Sequence, residues 1–347
     1  MNNTIRRLLA AAGGLLAASA PALAQEKAGA RFADAEAFYT GKTVRVLVGH
    51  PPGGSYDFYA RLAADMLKAH LPQAAAVIVE NKPGGGGLVA TSFFYSQSPR
   101  DGTVLGVLPE TIGNSQIMDP GVAKWKVEDM RYIGSFAPVN TAFMRRRDSP
   151  AKTPAEMKTR ETIVGCTGKA AQSYQYPALL KALGGFNFKM ICGYPGAAEY
   201  TIALERGEID LVSSAWPSWR VTHMRQIQAG DLVAVIQTGL KRDRELADVP
   251  LMQELVDDPK IRQVIDFASA GAMIGRALLA PPGLPADRVA FLRATFDKMV
   301  ADPAMIAMAE KRQLVLDPTP GEAVQRTSDA IVRTPVEIAA MAAEAFK

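Results

Sequence analysis

The sequence predicts an α/β protein of two lobes, each a mainly parallel sheet flanked by helices. Three observations carry that expectation. Short β-branched runs alternate with segments of helical period, glycine-rich turns stand where the runs stop, and the strand, turn, helix order is met twice, early in the chain and again beyond residue 160. In sheets of this kind ligands bind at the carboxyl ends of the strands, which is where the glycine-rich turns fall.

The elements follow in order. Val44 to Gly49 reads as a strand that breaks at Pro51-Pro52-Gly53-Gly54, and Tyr59 to His70 has the apolar period of a helix. Ala76 to Glu80 is a second strand, Lys82 to Gly87 a loop, Leu88 to Ser96 a helix and Val104 to Leu108 a third strand. Tyr132 to Met144 is long enough to pass from one lobe to the other. The second unit then runs through a strand at Thr162 to Cys166, a loop at Thr167 to Ser173, a helix at Tyr176 to Leu183 and a strand at Lys189 to Cys192. Its next loop is Gly193-Tyr194-Pro195-Gly196, followed by a helix at Tyr200 to Arg206 and strands at Ile209 to Ser213 and Leu232 to Gln237. A return crossing is expected near Arg276 to Ala280, then a helix from Pro285 to Val300 with proline at its start, and helical chain after Thr319-Pro320. The expected division is residues 25–140 with 276–347 as lobe 1 and residues 141–275 as lobe 2. No repeat with a fixed period of 20 to 50 residues suggests a solenoid.

Residues 1–24 read as a secretory signal peptide: Arg6 and Arg7, an apolar run from Leu8 to Ala18, and Ala22-Leu23-Ala24 before Gln25. The run is too short to anchor a protein across a bilayer, so a periplasmic location is expected. Cleavage after Ala24 leaves 323 residues with 37 basic and 35 acidic side chains, more than one core usually organises and nearly neutral. The basic residues are scattered, and Arg145-Arg146-Arg147 lacks the interleaved aromatics of a nucleic-acid surface, so no nucleic-acid partner is expected. With 48% apolar and 21% charged residues, the chain has a globular composition.

His50, His70 and His223 have no metal-ligand spacing, and no metal or cofactor is expected. The turn at 49–54 lacks the dinucleotide fingerprint, and Gly165-Cys166-Thr167-Gly168-Lys169 lacks the gap and the hydroxyl residue of a phosphate loop. G-x-S-x-G is absent, and Cys166 has no histidine nearby in sequence to make it a nucleophile. Cys166 and Cys192 stand at corresponding ends of two strands that a right-handed crossover makes neighbours, so a disulfide between them is possible.

The stretch Gly49 to Asp57 places bare backbone amides at the start of a helix, an arrangement suited to a carboxylate or phosphate, although a plain turn with Asp57 as helix cap accounts for it as well. Trp216 and Trp219 follow a strand and fall at the same face, where they either wall a ligand or pack a seam between the lobes.

Gly41-Lys42-Thr43-Val44, Pro51-Pro52-Gly53-Gly54 with Asp57, Ala60-Arg61-Leu62, Glu80-Asn81-Lys82-Pro83-Gly84, Pro99-Arg100-Asp101-Gly102-Thr103, Leu204 to Asp210, Asp248-Val249-Pro250 and Ala280-Pro281-Pro282-Gly283 occur in one order. In that order they resemble the substrate-binding proteins of tripartite tricarboxylate transporters, the Bug or TctC-like family. The resemblance implies a type II Venus-flytrap binding protein, not an enzyme, whose lobes close on a small organic carboxylate and which delivers it to membrane transporter subunits, the protein itself being a monomer. Aromatic acids, dicarboxylates and tricarboxylates all stay open as ligands. A periplasmic enzyme on the same fold and a ligand-loaded sensor partner are the alternative readings.

Carried onto this sequence, the resemblance places ligand contacts at Pro52, Gly53, Gly54, Ser55 and Asp57 on one side and at Thr167, Gly168, Lys169, Ala170 and Ser173 on the other. Tyr56, Gly86, Tyr194 and Trp216 complete the expected ligand-binding set. The loop Lys169 to Ser173 is bulkier than the family's glycine- and serine-rich pattern, and Gln175-Tyr176 stands where a histidine is often found.

Overall fold

In β1 (Thr43–Val48), Val44, Val46 and Val48 pack into one core while Leu47 packs into another, as in a strand covered by helices on both faces. This is a computed structural model that describes residues 32–169 and 171–347; the expected leader at 1–24 and the expected contact residue Ala170 lie outside the described residues. The chain turns through 49–54 into α1 (Ser55–His70), returns in β2 (Ala76–Asn81), and passes a turn of 3-10 helix at Gly85–Gly87 into α2 (Leu88–Ser96) and β3 (Val104–Val107). β2 and β3 flank β1, both parallel to it. After α3 (Ile112–Met118) and β4 (Arg131–Ser135) the chain crosses at residues 136–140 into a second sheet.

That sheet is built from β5 (Thr141–Arg146), α4 (Pro154–Thr159), β6 (Thr162–Cys166), α5 (Gln172–Leu183), β7 (Phe188–Cys192), α6 (Ala197–Arg206), β8 (Leu211–Ala215), α7 (Trp216–Gln228) and β9 (Leu232–Gln237). α8 (Pro259–Ser269) leads back to β10 (Ala277–Ala280) in the first sheet. α9 (Ala286–Ala301), α10 (Pro303–Lys311), the short β11 (Thr319–Pro320), α11 (Gly321–Val332) and α12 (Val336–Ala345) follow.

The first sheet has the order β11-β4-β10-β3-β1-β2 and the second β7-β6-β8-β5-β9. The βαβ centres are parallel as expected, but each sheet is mixed. The strands that enter from the other lobe run the opposite way, β10 against β3 and β4, and β5 against β8 and β9.

The two crossings are tied to each other. Phe136 N donates to Arg276 O at 3.0 Å, Arg276 N to Ala137 O at 3.0 Å and Val139 N to Ala272 O at 2.9 Å. Gly275, at φ +59°, makes the approach possible: a Cβ there would stand 1.9 Å from Ala137 O. The crossings are thus bonded to each other where they pass between the sheets.

One core cluster fills the helix layer on α1 and α9, with Tyr59, Leu62, Leu292 and Phe296 among its members. A second is shared by both lobes, joining Phe94 and Ile112 to Phe143, Leu179 and Ile265, and α12 adds Ile338, Ala339 and Ala342 to it. α12 packs against α3, α5 and α8, so it spans the seam behind the crossings.

Candidate functional site

Four helices begin at one cavity. α1, α5, α6 and α7 start at Ser55, Gln172, Ala197 and Trp216, and residues of each first turn line a cavity of about 70 Å³ between the lobes. The four N-caps, Gly54, Ala171, Gly196 and Ala215, make no side-chain cap hydrogen bond. The positive ends of the four helix dipoles therefore converge on one space, with α7 giving fewer donors because Trp216 N bonds Asn140 O and Pro217 has no N–H. Glu199, in the first turn of α6, offsets part of that charge at its own helix.

The loop before α1 is braced from within. The Asp57 carboxylate accepts from Gly53 N at 3.1 Å, Arg61 Nε at 2.9 Å and Asn81 Nδ2 at 3.0 Å, and Asn81 Nδ2 also donates to His50 O at 2.9 Å. These bonds pin the turn to the end of β2. Gly53 needs its φ of +90° for the turn, and a Cβ built on Gly54 would meet nothing within 4 Å, so that position faces open space.

The opposing loop is tied through hydroxyls. Thr167 N donates to Ser173 Oγ at 3.2 Å, and the Thr167 and Ser173 hydroxyls lie 2.9 Å apart. Behind it a disulfide joins Cys166 to Cys192, residues paired in register at the ends of β6 and β7. The lobes touch across the cavity: Ser55 N donates to Ser218 Oγ at 2.9 Å and Gln172 Nε2 to Tyr56 Oη at 3.4 Å.

The cavity floor is a buried polar stack. Tyr56 lies between His50, at 4.1 Å and 7° from parallel, and the Arg276 guanidinium, 3.8 Å from the ring centre. Tyr56 Oη donates to Glu110 Oε2 at 2.5 Å, Arg276 Nη1 donates to the same oxygen at 2.8 Å, and Arg276 Nε donates to Ser55 Oγ at 2.8 Å. Burial, then Glu110, pushes the Tyr56 hydroxyl well above its ordinary range. Burial, reinforced by Arg276, lowers His50 to about 3, so its imidazole is neutral at ordinary pH. For Arg276 burial acts downward, but the Glu110 carboxylate and the neighbouring tyrosines outweigh it and raise the guanidinium's pKa.

Of the expected contact residues, Pro52, Gly53, Gly54, Ser55, Tyr56, Thr167 and Ser173 line this cavity. The others stand elsewhere. Asp57 is turned back into its own loop by the three bonds above. Gly86 and Gly168 face each other where the lobes meet, a Cβ on Gly168 falling 3.9 Å from Gly86 N. Lys169 donates from Nζ to Lys347 O at 3.2 Å and lines a second cavity of about 620 Å³ with Met118, Trp125 and Phe346. Tyr194 packs edge-on against Tyr200, Trp216 donates to Glu245 Oε2 at 2.7 Å, and Trp219 donates to Ala142 O at 3.3 Å. Both tryptophans are core side chains of the second lobe rather than a ligand wall.

Sequence reasoning missed Gln172, Ser213, Ser218, Glu110 and Arg276. Gln172 lies within the loop Thr167 to Ser173, Ser213 ends an expected strand and Ser218 stands between the two tryptophans, but their residue types alone did not single them out. Glu110 and Arg276 are 166 residues apart and have no sequence signal linking them. Among the described residues no cluster of three His, Cys, Asp or Glu could hold a metal ion, and no helix is long and apolar enough to cross a membrane.

A family model for the tripartite tricarboxylate transporter family receptor matches residues 59–331. The chain is 29% identical over 226 residues to the "UPF0065 protein in gbd 5'region" of Cupriavidus necator, covering 62% of this chain and 64% of that one, just under two thirds of the relative's length. Among solved structures, the periplasmic binding protein BugD superposes with a TM-score of 0.67 at 23% identity over 88% of this chain and 98% of that one. MatC from Rhodopseudomonas palustris, with bound malate, gives 0.66 at 21% identity over 88% and 99%. At these identities the two structures establish the two-lobed fold.

Proposed function

Because the chain belongs to the tripartite tricarboxylate transporter receptor family, we propose that it is an exported, periplasmic solute-binding protein that closes its lobes on a small organic carboxylate and hands it to a tripartite membrane transporter. The observation that carries this reading is the convergence of four helix N-termini, from both sheets, on one cavity. A carboxylate held there accepts from main-chain donors on both lobes, so binding and closure are one event. We take residues 25–140 with 276–347, and residues 141–275, as the bodies that move about the paired crossings at 136–140 and 270–276.

The polar side chains that line the cavity, Ser55, Thr167, Gln172, Ser213, Ser218 and Arg276, suit a compact aliphatic acid with several oxygens, and the malate in the R. palustris MatC structure is of that kind. The cavity's hydroxyls belong to serines, Thr167 and two tyrosines, Tyr56 and Tyr200, and His50, with its pKa near 3, is a poor general base for them at neutral pH. Binding without turnover is the function this supports.

The experiment is a thermal-shift screen of aliphatic mono-, di- and tricarboxylates, followed by calorimetry. A ligand that binds only the folded protein raises its melting temperature in proportion to ln(1 + [L]/Kd). A saturable shift with one acid, recovered unchanged after long incubation, is the expected result, together with uptake of that acid in cells that requires both this protein and the transporter subunits. Product appearing in excess of protein overturns the binding reading, and uptake that persists without the protein overturns the delivery step.

A further inference from the structure

The Arg276 side chain is fully buried, lines the cavity and is held on three sides by Ser55, Glu110 and the face of Tyr56. Its fourth side is different: Nη2 has no hydrogen-bond partner among the described residues. A guanidinium carries five N–H donors in a rigid fork, and leaving a buried charged donor without an acceptor is costly. Glu110 already balances its charge, so Arg276 does not act as a loose cation that draws in any anion. It is a fixed, directional donor.

We propose that Arg276 Nη2 determines specificity by donating to a second acceptor group of the bound acid, so that the protein selects compact acids with a second carboxylate, hydroxyl or oxo oxygen over acids with a bare alkyl chain. This inference rests on the proposed capture of a carboxylate in the same cavity. The first carboxylate takes the helix N-termini, which offer amides on both lobes, and the second group reaches the floor, where Arg276 is fixed. The lobe-2 wall opposite adds Ser213, whose buried hydroxyl is likewise without a partner and lines the cavity. Arg276 also lies in a crossing, its backbone paired to Phe136 and Ala137, so a ligand on Nη2 is tied to the segment about which the lobes are proposed to turn.

The experiment compares succinate and malate with butyrate by titration calorimetry on the parent protein, on Arg276→Gln/Glu110→Gln and on Arg276→Lys. The double variant removes both buried charges together, which avoids stranding one of them. Arg276→Lys keeps the charge beside Glu110 but cannot place a donor at the Nη2 position, so selectivity can be read from it even if the double variant does not fold. The parent is expected to favour the difunctional acids by about tenfold or more, the effect of about one net hydrogen bond to a charged donor. In both variants that preference is expected to fall below about threefold, read as the ratio of the Kd for butyrate to that for the difunctional acid in the same variant. A preference that survives in the folded variants overturns the role of Arg276 and leaves carboxylate capture standing. Failure of every acid to bind the parent overturns carboxylate capture and this inference with it.

Discussion

The two loops that face each other across the cavity present the same chemistry and are held in different ways. The loop before α1 is cross-braced by Asp57, which takes three donors at once, and by Tyr56, which is clamped between His50 and Arg276. Among its described residues the loop before α5 is held by Ser173 Oγ, which accepts from Thr167 N and lies beside the Thr167 hydroxyl, by Ala171 N on Gly168 O, and at its root by Gly193 N on Thr167 O and the Cys166–Cys192 disulfide. One half of the site is thus braced by a buried carboxylate, and the other by hydroxyl and main-chain contacts above a covalent link.

The largest effect should come from filling the carboxylate-braced half. Gly54 has φ −116°, an ordinary conformation, and a Cβ there meets no protein atom, so Gly54→Val should fold normally. Its side chain would nevertheless occupy a cavity of only about 70 Å³ on the wall braced by Asp57. Affinity for the acid found by screening should fall by about two orders of magnitude or more, well beyond one lost hydrogen bond. Calorimetry on the folded variant decides it: a Kd within threefold of the parent would mean the acid binds elsewhere.

A paired comparison sharpens the contrast between the loops. Asp57→Ala removes the buried carboxylate that ties Gly53 N, Arg61 and Asn81 together, and Cys166→Ser/Cys192→Ser removes the link across 26 residues behind the other loop. Each should lower stability by about 2–4 kcal/mol, by different routes. Their effects on binding should separate. Asp57→Ala should weaken binding about tenfold, as expected for about 1.4 kcal/mol of lost preorganisation. The serine pair should cost about threefold or less, since Gly193 N still bonds Cys166 O and Thr167 O at the root of the loop. Melting curves alongside calorimetry test this. A larger affinity loss in the serine pair would reverse which of the two halves binding depends on.

The same contrast explains what could be read from the sequence. Strands were legible because apolar, mostly β-branched runs mark them: those beginning at Ala76, Val104 and Thr162 start where the sequence places them. Three helix starts were not, although those at Leu88 and Pro285 agree with the structure to within one residue. Periodicity sets the three at Tyr59, Tyr176 and Tyr200, whereas the helices begin at Ser55, Gln172 and Ala197, three or four residues earlier each time. The hidden first turns are those that line the cavity. Apolar period marks where a helix meets a core, and a first turn that faces a cleft has no core to meet. The glycine loops pointed to the right ends of the strands, but the cavity floor was invisible. Arg276 meets Glu110 only because β10 enters the sheet antiparallel beside β3, which brings its leading residue to the carboxyl end of β3. The tryptophans misled for a related reason: they follow a strand, but Pro217 starts a helix there at once, and both rings turn into the lobe-2 core.

The smallest effect is expected at Lys169, and it tests where the loop before α5 stops taking part. Its position in the resemblance and its charge suggest an ammonium that compensates the ligand's carboxylate. In the structure Lys169 is exposed, its Nζ donates to Lys347 O, and the cavity it lines is the larger one beside α12 rather than the one at the helix N-termini. An exposed ammonium that does not line the ligand cavity acts on the ligand only through solvent, where charges separated by more than about 8–10 Å are screened at physiological salt. Lys169→Ala should therefore change Kd by less than about twofold, and that small change should vanish between low and high salt. Binding titrations of parent and variant at two ionic strengths measure both quantities. A loss of tenfold or more that persists at high salt would bring Lys169 into contact with the ligand and would require the loop from Thr167 to Ser173 to turn inward on binding, making the half held by hydroxyl and main-chain contacts the one that changes shape.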